Sequence, residues 1–335
     1  MNEMARAIKP DVSVIIPTKN RCESLRKCLD SLLMQKYRNF EVVVVDGGST
    51  DGTIDLVTEY MSMLAIRLIG QKRKGLVNAV NEGWIASHGE IVVRTDDDIV
   101  ADAGWLLEIV KTFRSSTTIG GVTGPTIIPE ELKGSRDVFY FQNKMRSAGN
   151  FWSLLGIIYF YYFLEGRPTV IGQFFRSGAF SLGSNYSDCL RLTKAIDVDH
   201  HEACNMAVKR DQLEEIGGFD EIYLGVGEYS EADVSFKIRK LGYRIVFNPK
   251  ALVYHLTSKE GVFGERSSSY GRVLNFINFY FKHIKPDTLD KFVRFYCYLL
   301  FLNGYWIYKF VITRKKDQLG CLIGTAIGLA RNVLG

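Results

Sequence analysis

The sequence lacks the cysteine spacing of a disulfide framework or a zinc site. It has six cysteines among 335 residues, with no C-x-x-C pair and no regular interval between them. Because both kinds of site depend on such spacing, we expect free thiols and a reducing compartment. Residues 1–11 are polar and contain no apolar stretch of the kind that a secretory signal needs. The expected location is therefore the cytoplasm.

A large charge imbalance is missing as well. The sequence has 42 lysines and arginines against 37 aspartates and glutamates, a formal net charge of +5. This surplus is too small to indicate a nucleic acid as a partner. It is compatible with an anionic substrate or an anionic lipid surface.

Two common phosphate-binding loops are also absent. No G-x-G-x-x-G follows the first predicted strand, and no G-x-x-x-x-G-K-[ST] occurs in the chain. The sequence therefore gives no support for a dinucleotide site or a Walker-type nucleotide loop. If the ligand carries phosphates, a bound metal ion is the natural means of holding them.

The pattern of apolar residues indicates an α/β fold. With 47% hydrophobic residues, the chain is long enough for one catalytic domain and an appendage. Residues 12–128 alternate short β-rich runs with helical spacing, which is typical of a parallel sheet covered by helices. Asp46 and the triplet Asp96–Asp98 both follow predicted strands. Because ligands bind beyond the carboxyl ends of strands in open α/β sheets, we expect both in one pocket.

Three consecutive carboxylates follow an apolar strand that is predicted to end at Asp96. In an extended segment Asp96 and Asp98 would point to one side and Asp97 to the other. Two carboxylates on one side suit Mg²⁺ or Mn²⁺, which take oxygen ligands and often complete their coordination with substrate phosphates. A solvated acidic turn is the alternative interpretation of the triplet taken alone.

Four motifs of the first half, in this order, resemble those of the family 2 glycosyltransferases with a GT-A fold. They are V-S-V-I-I-P-T-K-N (12–20), F-E-V-V-V-V-D-G-G-S-T-D-G-T (40–53), G-L-V-N-A-V-N-E-G (75–83) and H-G-E-I-V-V-R-T-D-D-D (88–98). The second half resembles the acceptor-side motifs of the family, in C-N-M-A-V-K-R (204–210), I-G-G-F-D-E (216–221), S-E-A-D-V-S-F-K-I-R-K-L-G-Y-R-I (230–245) and N-P-K-A-L-V-Y-H (248–255). The resemblance covers roughly residues 11–256.

The resemblance implies a GT-A domain over residues 1–256, and the composition of the remaining chain predicts a helical, membrane-interface tail over 257–335. The GT-A domain has a Rossmann-like nucleotide-binding half with a mixed sheet, expected here at 11–128. An acceptor half is expected at 129–256. The expected donor is a nucleotide sugar, with UDP or GDP as the nucleotide, and the expected cofactor is Mg²⁺ or Mn²⁺.

The resemblance also assigns donor-binding residues. Pro17, Thr18 and Asp46 would hold the nucleoside, Asp96 and Asp97 would contribute to donor binding, and Asp98 would bind the metal that bridges the diphosphate. The family usually has two aspartates after the second strand, where this chain has Asp46-Gly47. Because the second acid reads the base in some relatives, its absence leaves the identity of the base open. Cations for the diphosphate could come from Lys72 and Arg73, which are otherwise ordinary surface residues.

One general base is expected on the acceptor side. A nucleotide-diphosphate leaving group is acidic and metal-neutralised, so the protein has only to deprotonate the acceptor hydroxyl. The family's E-D-x-D motif falls on residues 230–233, which puts Glu231 in the place of the catalytic aspartate and Asp233 on the acceptor side. The alternative is that Glu231 and Glu228 stabilise the start of the following helix, where acids are favoured.

Two further residues complete the predicted site. In GT-A enzymes a histidine at the place of His255 frequently completes the metal site, although a lone histidine after an apolar run can be structural. Asn205, in the C-N-M-A-V-K-R motif, is expected on the acceptor side. His200 and His201 could border the acceptor pocket.

Two segments are apolar enough to suggest a membrane. Residues 151–164 are rich in aromatic side chains but too short to cross a bilayer, which takes about 20 residues. Residues 292–312 have the length of a span, but their internal charges and the basic residues that follow favour a helix lying in the interface. A buried core helix or an oligomer contact is the alternative. Glycines at positions 320, 324 and 328 have the spacing that lets helices approach closely.

These observations predict a metal-dependent, inverting glycosyltransferase on the cytoplasmic face of the cell membrane, held there as a peripheral or monotopic protein. It would transfer a sugar to a lipid-linked or polyisoprenyl acceptor in cell-surface glycan synthesis or protein N-glycosylation. Three alternatives stay open at this point. They are a sugar nucleotidyltransferase, a catalytically silent GT-A scaffold that binds nucleotide sugar, and a polysaccharide-synthesis transferase with a soluble acceptor.

Overall fold

A computed structural model of the protein describes residues 9–129, 149, 151–167, 169–181, 183–185, 187–257 and 269–333. The strands in these ranges are β1 (Val12–Thr18), β2 (Phe40–Asp46), β3 (Ile66–Gly70), β4 (Ile91–Arg94), β5 (Ile99–Ala101), β6 (Ile119–Thr123), β7 (Thr126–Ile127), β8 (Ile196–Val198), β9 (Met206–Lys209), β10 (Arg244–Phe247) and β11 (Val253–His255). The α-helices are α1 (Cys22–Leu33), α2 (Thr53–Tyr60), α3 (Leu76–Ala86), α4 (Trp105–Ser115), α5 (Phe151–Ile157), α6 (Arg210–Glu215), α7 (Ser230–Lys240), α8 (Ser269–Phe279), α9 (Leu289–Thr313) and α10 (Gly320–Val333).

The centre of the fold is a mixed sheet with the strand order β3-β2-β1-β4-β9-β6-β10-β8. The first four strands of the chain are parallel, and β9 is antiparallel to both β4 and β6. Every residue of β1 and β2 is buried, as expected for strands covered by helices on both faces. The predicted α/β architecture is confirmed.

A second, three-stranded sheet brings the metal-ligand candidates together. Its order is β5-β11-β7. Strand β11 runs antiparallel to β5, with His255 opposite Ile99. The backbone N–H of Leu256 donates to the carbonyl of Asp98 at 2.8 Å. His255 is therefore held beside Asp98 although 157 positions separate them in the chain.

The acidic triplet does not continue strand β4 as predicted. The strand ends at Arg94, and the chain turns at Asp97 and Asp98 before β5 begins. Thr95 marks the change of direction, since its backbone N–H donates to the carbonyl of Ile15 and its hydroxyl to that of Cys204. The turn lets the neighbouring carboxylates of Asp97 and Asp98 face one shared partner, Arg21, whereas an extended strand would direct them to opposite sides.

The three C-terminal helices pack against the rest of the protein. Phe279 of α8 belongs to the same hydrophobic cluster as residues of the main sheet. A Cβ atom on Gly324 of α10 would lie 2.6 Å from the backbone oxygen of Tyr270, and one on Gly328 would lie 2.8 Å from Ile277. These glycines therefore permit the close approach of α10 to α8 that their spacing predicts. The boundary near residue 256 stays a prediction.

The six cysteines are free thiols, as predicted. Helix α5 continues in a π-helical turn through Phe163, so residues 151–163 form one continuous helical segment. Phe163 and Leu164 are buried against Phe276 and Phe295 of α8 and α9. This segment packs against the C-terminal helices through its end, while Leu154 and Tyr161 remain exposed.

The packing of helix α3 against β1 and β2 is expected to require glycine at position 83. A Cβ atom there would lie 2.3 Å from Ile15 and 3.0 Å from Val45, in the strands that carry the site. We expect Gly83→Val to lower the free energy of unfolding by about 2 kcal/mol or more through overpacking. Gly70→Val is the control, because nothing lies within 4 Å of that position. Urea denaturation would contradict this packing if both variants had equal stability.

Candidate active site

A pocket of about 630 Å³ lies beyond the carboxyl ends of β1 and β2. The predicted donor residues Pro17, Thr18 and Asp97 line it. Among its described lining residues, five are cationic and one is acidic; the cationic ones are Lys19, Arg21, Lys72, Arg73 and Lys74. Such a balance of charges suits a ligand with several negative charges.

Glu82 of α3 fixes the basic loop at one side of this pocket. Its carboxylate accepts the backbone N–H groups of Lys72 and Arg73 at 2.7 and 2.9 Å. The Arg73 guanidinium also pairs with Glu221 at 2.6 Å. The loop therefore has a defined conformation, and Arg73 is engaged at the surface as well as in the pocket.

Arg21 bridges the last two carboxylates of the triplet. One guanidinium nitrogen lies 2.7 Å from Asp97 Oδ1 and the other 2.6 Å from Asp98 Oδ2, and the arginine side chain is 1% exposed. A planar guanidinium suits two such contacts at once. Arg21 thus joins the donor pocket, which Asp97 lines, to the side of the turn where Asp98 meets His255.

Asp97 is buried at the base of the pocket. Thr18 donates its hydroxyl hydrogen to Asp97 Oδ2 at 2.8 Å. Burial raises the pKa of Asp97 to about 7; Arg21 opposes this shift, and the neighbouring Asp98 adds to it. Arg21 and Thr18 fix the two carboxylate oxygens of Asp97. Asp97 lines the donor pocket, and its contact with a donor stays a prediction.

Asp96, Asp98 and His255 form a candidate metal site. Each offers one ligand atom, and the three atoms lie within 4.8 Å of one another. His255 Nε2 is 3.2 Å from Asp98 Oδ1. Two carboxylate oxygens and one imidazole nitrogen are a donor set that suits Mn²⁺ and, with more water ligands, Mg²⁺. The residues present therefore fit the expected ion.

The site holds Asp98 as a carboxylate. Burial acts against ionisation, but His255 and Arg21 together lower the pKa of Asp98 well below its usual range. Burial also opposes the charged form of His255, whereas Cys204 and Asp98 raise the pKa of its imidazole. Because a metal ligand must be deprotonated, binding of an ion here would release the imidazole proton.

Asp46 shapes the turn that follows β2. Its carboxylate accepts the backbone N–H of Gly48 at 3.0 Å and that of Ser49 at 3.1 and 3.2 Å. The adjacent Gly47 lines the donor pocket. These contacts of the Asp46 carboxylate are with its own turn. Its predicted contact with the nucleoside stays a prediction.

Glu231 lines a second cavity, of about 290 Å³. The polar part of its lining includes Glu228, His200 and Arg272, and the apolar part includes Phe276 and, from α9, Leu302, Tyr305 and Trp306. Burial raises the pKa of Glu231, and the charge of Arg94 opposes this. Glu231 is in the first turn of α7, so it also interacts favourably with the helix dipole. Stabilisation of the helix alone would not require Glu231 to line a cavity, so its position in the cavity wall is a separate observation.

Arg94 connects the two halves of the site. It ends β4, and its guanidinium contacts Asp96 at 3.4 Å and donates to the carbonyl of Ala203 at 2.8 Å. The same positive charge acts on Glu231. The candidate metal ligands are therefore linked to the donor pocket through Arg21 and Asp97, and to the candidate base through the charge of Arg94.

The side chains of Asn205 and Asp233 both contact other parts of the protein, and the acceptor-side roles expected for them stay predictions. The amide of Asn205 accepts from Trp105 at 2.9 Å and donates to the carbonyls of Pro125 and Ala251. Asp233 is completely buried and lies within 2.9 Å of Lys237, Lys282 and His283. These contacts hold the pKa of Asp233 well below its usual range although burial opposes this. Asp233 therefore ties α7 to the turn after α8.

Sequence reasoning missed Arg21, Arg94 and the contribution of α9. The position of Arg21, shortly after a strand whose end faces three acids, was a usable signal, because buried acids need a cation. Arg94 gave a similar signal, because it lies two residues before the acidic triplet. The cavity residues from α9 could not be found in this way, since nothing local in residues 302–306 indicates that they lie near Glu231.

Comparison with known proteins gives a consistent result. The sequence model of glycosyl transferase family 2 matches residues 13–184. The uncharacterised protein y4gI of Sinorhizobium fredii is 30% identical over 254 residues, which is 73% of this chain and 24% of that protein. Glycosyltransferase AglE of Haloferax volcanii is 38% identical over 120 residues, which is 34% of this chain and 39% of AglE. The chain thus spans well under half the length of either relative.

A solved structure has the same fold. The mannosyltransferase PcManGT from Pyrobaculum calidifontis, in complex with GDP-Man and Mn²⁺, superposes with a TM-score of 0.54 and 22% sequence identity, over 98% of this chain and 76% of PcManGT. The part of the chain that the family model matches contains the acidic triplet and all the residues lining the donor pocket except Gly225 and Val226. The protein belongs to glycosyl transferase family 2 and has the GT-A fold.

Proposed function

We propose that this protein transfers a sugar from a nucleotide-diphosphate donor to an acceptor hydroxyl with inversion at the anomeric carbon. The observation that carries the proposal is the position of the Asp96–Asp98–His255 cluster. Arg21 and Asp97 link it to a cationic pocket of the size of a nucleotide, and the charge of Arg94 links it to the carboxylate of Glu231 in a second cavity. Such an arrangement separates the leaving group from the attacking hydroxyl, as a direct displacement requires.

The donor diphosphate would lie among the cations of the pocket. Asp96, Asp98 and His255 would hold Mg²⁺ or Mn²⁺ beside it. A divalent ion bound there would neutralise the charge of the departing nucleoside diphosphate. Arg21 would keep Asp97 and Asp98 in place, so that Pro17, Thr18 and Asp97 meet the nucleoside while Asp98 faces the ion. The contact of PcManGT with GDP-Man and Mn²⁺ supports this class of donor and cofactor.

Glu231 would act as the general base. Its carboxylate would take the proton of the acceptor hydroxyl while the hydroxyl oxygen forms a bond to the anomeric carbon and the bond to the diphosphate oxygen breaks. A single displacement from the opposite side inverts the anomeric configuration. Burial favours this role, because it raises the pKa of Glu231 towards neutrality and so makes it a stronger base.

A lipid-linked acceptor is supported by the lining of the cavity around Glu231. Most of its wall is aromatic or aliphatic, and part of it comes from α9. That helix has a largely apolar surface, with Leu300 exposed by 72% and Ile312 by 59%. A sugar attached to an apolar chain could therefore present its hydroxyl to Glu231 while the chain lies against α9.

The same region supports association with an anionic membrane surface, expected on the cytoplasmic side. The exposed Arg314, Lys315 and Lys316 follow α9 directly. Helix α10, which comes next in the chain, has exposed apolar residues that include Ile323, exposed by 60%. Apolar side chains flanked by basic ones favour the surface of an anionic bilayer. By length and composition α9 could also cross a membrane, a criterion that core helices meet as well.

Loss of a metal ligand should abolish the response to Mn²⁺. We expect Mn²⁺ to raise the melting temperature of the wild-type protein, because an ion that binds only the folded state stabilises it. In His255→Gln this increase should largely disappear, and sugar transfer should fall in parallel. His88→Gln is the control, as its exposed imidazole lies at the surface beside Glu41 and Arg67. Equal Mn²⁺ responses of wild type and His255→Gln would contradict the proposed ligand set.

Removal of the general base should lower the rate of sugar transfer and leave donor binding intact. We expect Glu231→Gln to lower the turnover number by about 10²-fold or more, with nucleotide affinity unchanged. Because the pKa of Glu231 is raised, wild-type transfer should fall as the pH decreases through a value above the usual glutamate range, where the base becomes protonated. Glu214→Gln, on the exposed side of α6, is the control. Wild-type turnover in Glu231→Gln would show that the base lies elsewhere.

Membrane association is testable with substitutions that leave the packed helices in place. We expect the triple variant Leu300→Gln, Ile312→Gln, Ile323→Gln to lose at least about tenfold in affinity for anionic vesicles, since three apolar side chains no longer enter the interface. Ile85→Gln is a matched control, because Ile85 of α3 is 63% exposed. Sedimentation of the triple variant at the wild-type level would exclude these helices as the contact surface.

A further inference from the structure

We propose that Gln71 reads the base of the donor in place of the acid that is missing at position 47, and that the base it accepts is uracil. This inference rests on the proposed function, since it assumes that a nucleotide occupies the pocket of about 630 Å³. Both Gln71 and Gly47 line that pocket, together with Pro17 and Thr18.

The space at position 47 is taken by neighbouring side chains. A Cβ atom on Gly47 would lie 3.2 Å from Gln71 Oε1 and 3.2 Å from the Cβ of Lys19. These are tighter contacts than side chains normally make, so an aspartate at this position would have to displace them. The amide oxygen of Gln71 therefore lies directly beside the place where the second acid of the family's usual pair would begin.

The orientation of the Gln71 amide is fixed by its own loop. Its Nε2 atom donates to the carbonyl of Gly75 at 2.8 Å and to that of Arg73. A carbonyl oxygen can only accept a hydrogen bond, so the nitrogen must be at that end of the amide. The oxygen is then directed away from the loop, and it forms no hydrogen bond with the part of the chain that the structure describes.

The backbone on both sides of Gln71 is held as firmly as its amide. Its backbone N–H donates to the carbonyl of Asp46 at 2.8 Å, which ties the loop to the end of β2. On the other side, Glu82 accepts the N–H groups of Lys72 and Arg73. Oε1 is therefore a preorganised acceptor, with its position fixed before a ligand arrives.

A single acceptor matches uracil better than guanine. The pairing edge of uracil has one hydrogen-bond donor, the N3–H group between two carbonyls. The corresponding edge of guanine has two adjacent donors, N1–H and the 2-amino group, which a carboxylate with its two oxygens satisfies and one amide oxygen does not. Cytosine has no hydrogen on N3, and the donor of its pairing edge is the 4-amino group beside N3. A site built around one hydrogen bond discriminates against bases whose donor is displaced or that keep a second donor unpaired.

Binding of nucleotides to the whole chain tests the inference without any acceptor. We would measure UDP, GDP, CDP, 3-methyl-UDP and pyrophosphate by isothermal titration calorimetry with Mn²⁺ present. We expect UDP to bind at least about tenfold more tightly than GDP and CDP, and methylation of N3 to remove most of that advantage. Tighter binding of GDP than UDP, or equal binding of UDP and 3-methyl-UDP, would overturn the inference and leave the proposed function standing. Failure of every ligand, pyrophosphate included, would overturn both.

The variant Gln71→Met keeps the length of the side chain and removes its oxygen. We expect it to bind UDP about tenfold more weakly, close to GDP and 3-methyl-UDP, with pyrophosphate affinity retained. Asn78→Ala is the matched control, since Asn78 Nδ2 holds the same loop through the carbonyl of Lys74 at 2.7 Å without lining the pocket. It should change the affinities for all ligands by one common factor. If Gln71→Met also weakened all of them equally, Gln71 would only fasten the loop, and the inference would be wrong.

Discussion

The site depends on one buried cation, Arg21, and the two carboxylates that it bridges. Three consecutive acids at the end of a strand repel one another, and burial without a counter-charge would be costly. Arg21 offsets this repulsion for Asp97 and Asp98 and at the same time fixes their directions. Asp97 is kept at the base of the donor pocket, and Asp98 is kept beside His255. The geometry of both neighbouring sites therefore follows from a single ion-pair network.

The fold explains why these residues meet. Strands β1, β2 and β4 are parallel neighbours, so the segments that follow them lie at one edge of the main sheet. The small sheet adds His255 through the pairing of β11 with β5. Glu231 comes from α7, on the acceptor side, and Arg94 is the charged contact between the two halves. Residues from distant parts of the sequence are thus positioned by backbone pairing rather than by mobile loops.

Much of this organisation could be predicted from the sequence, and the exceptions have physical reasons. Strand β2, the α/β alternation and the grouping of Asp96 with Asp98 follow from local pattern and from the motifs. The end of β4 at Arg94 was not predicted, because the turn depends on Arg21, which is distant in sequence. Asn205 and Asp233 lie within acceptor-side motifs, and their partners include Trp105 of α4 and the turn after α8, whose positions the sequence does not reveal. For the same reason the contact of α9 with the cavity around Glu231 was not predicted.

The central claim is that Asp96, Asp98 and His255 bind a divalent ion next to the donor diphosphate. Anomalous X-ray scattering from crystals grown with Mn²⁺ and a nucleoside diphosphate measures this directly. The account predicts one strong manganese peak at about 2.0–2.3 Å from an oxygen of each aspartate and from the His255 imidazole, with the diphosphate as a further ligand. A peak elsewhere, or a bound nucleotide with no ion at these three residues, would contradict it.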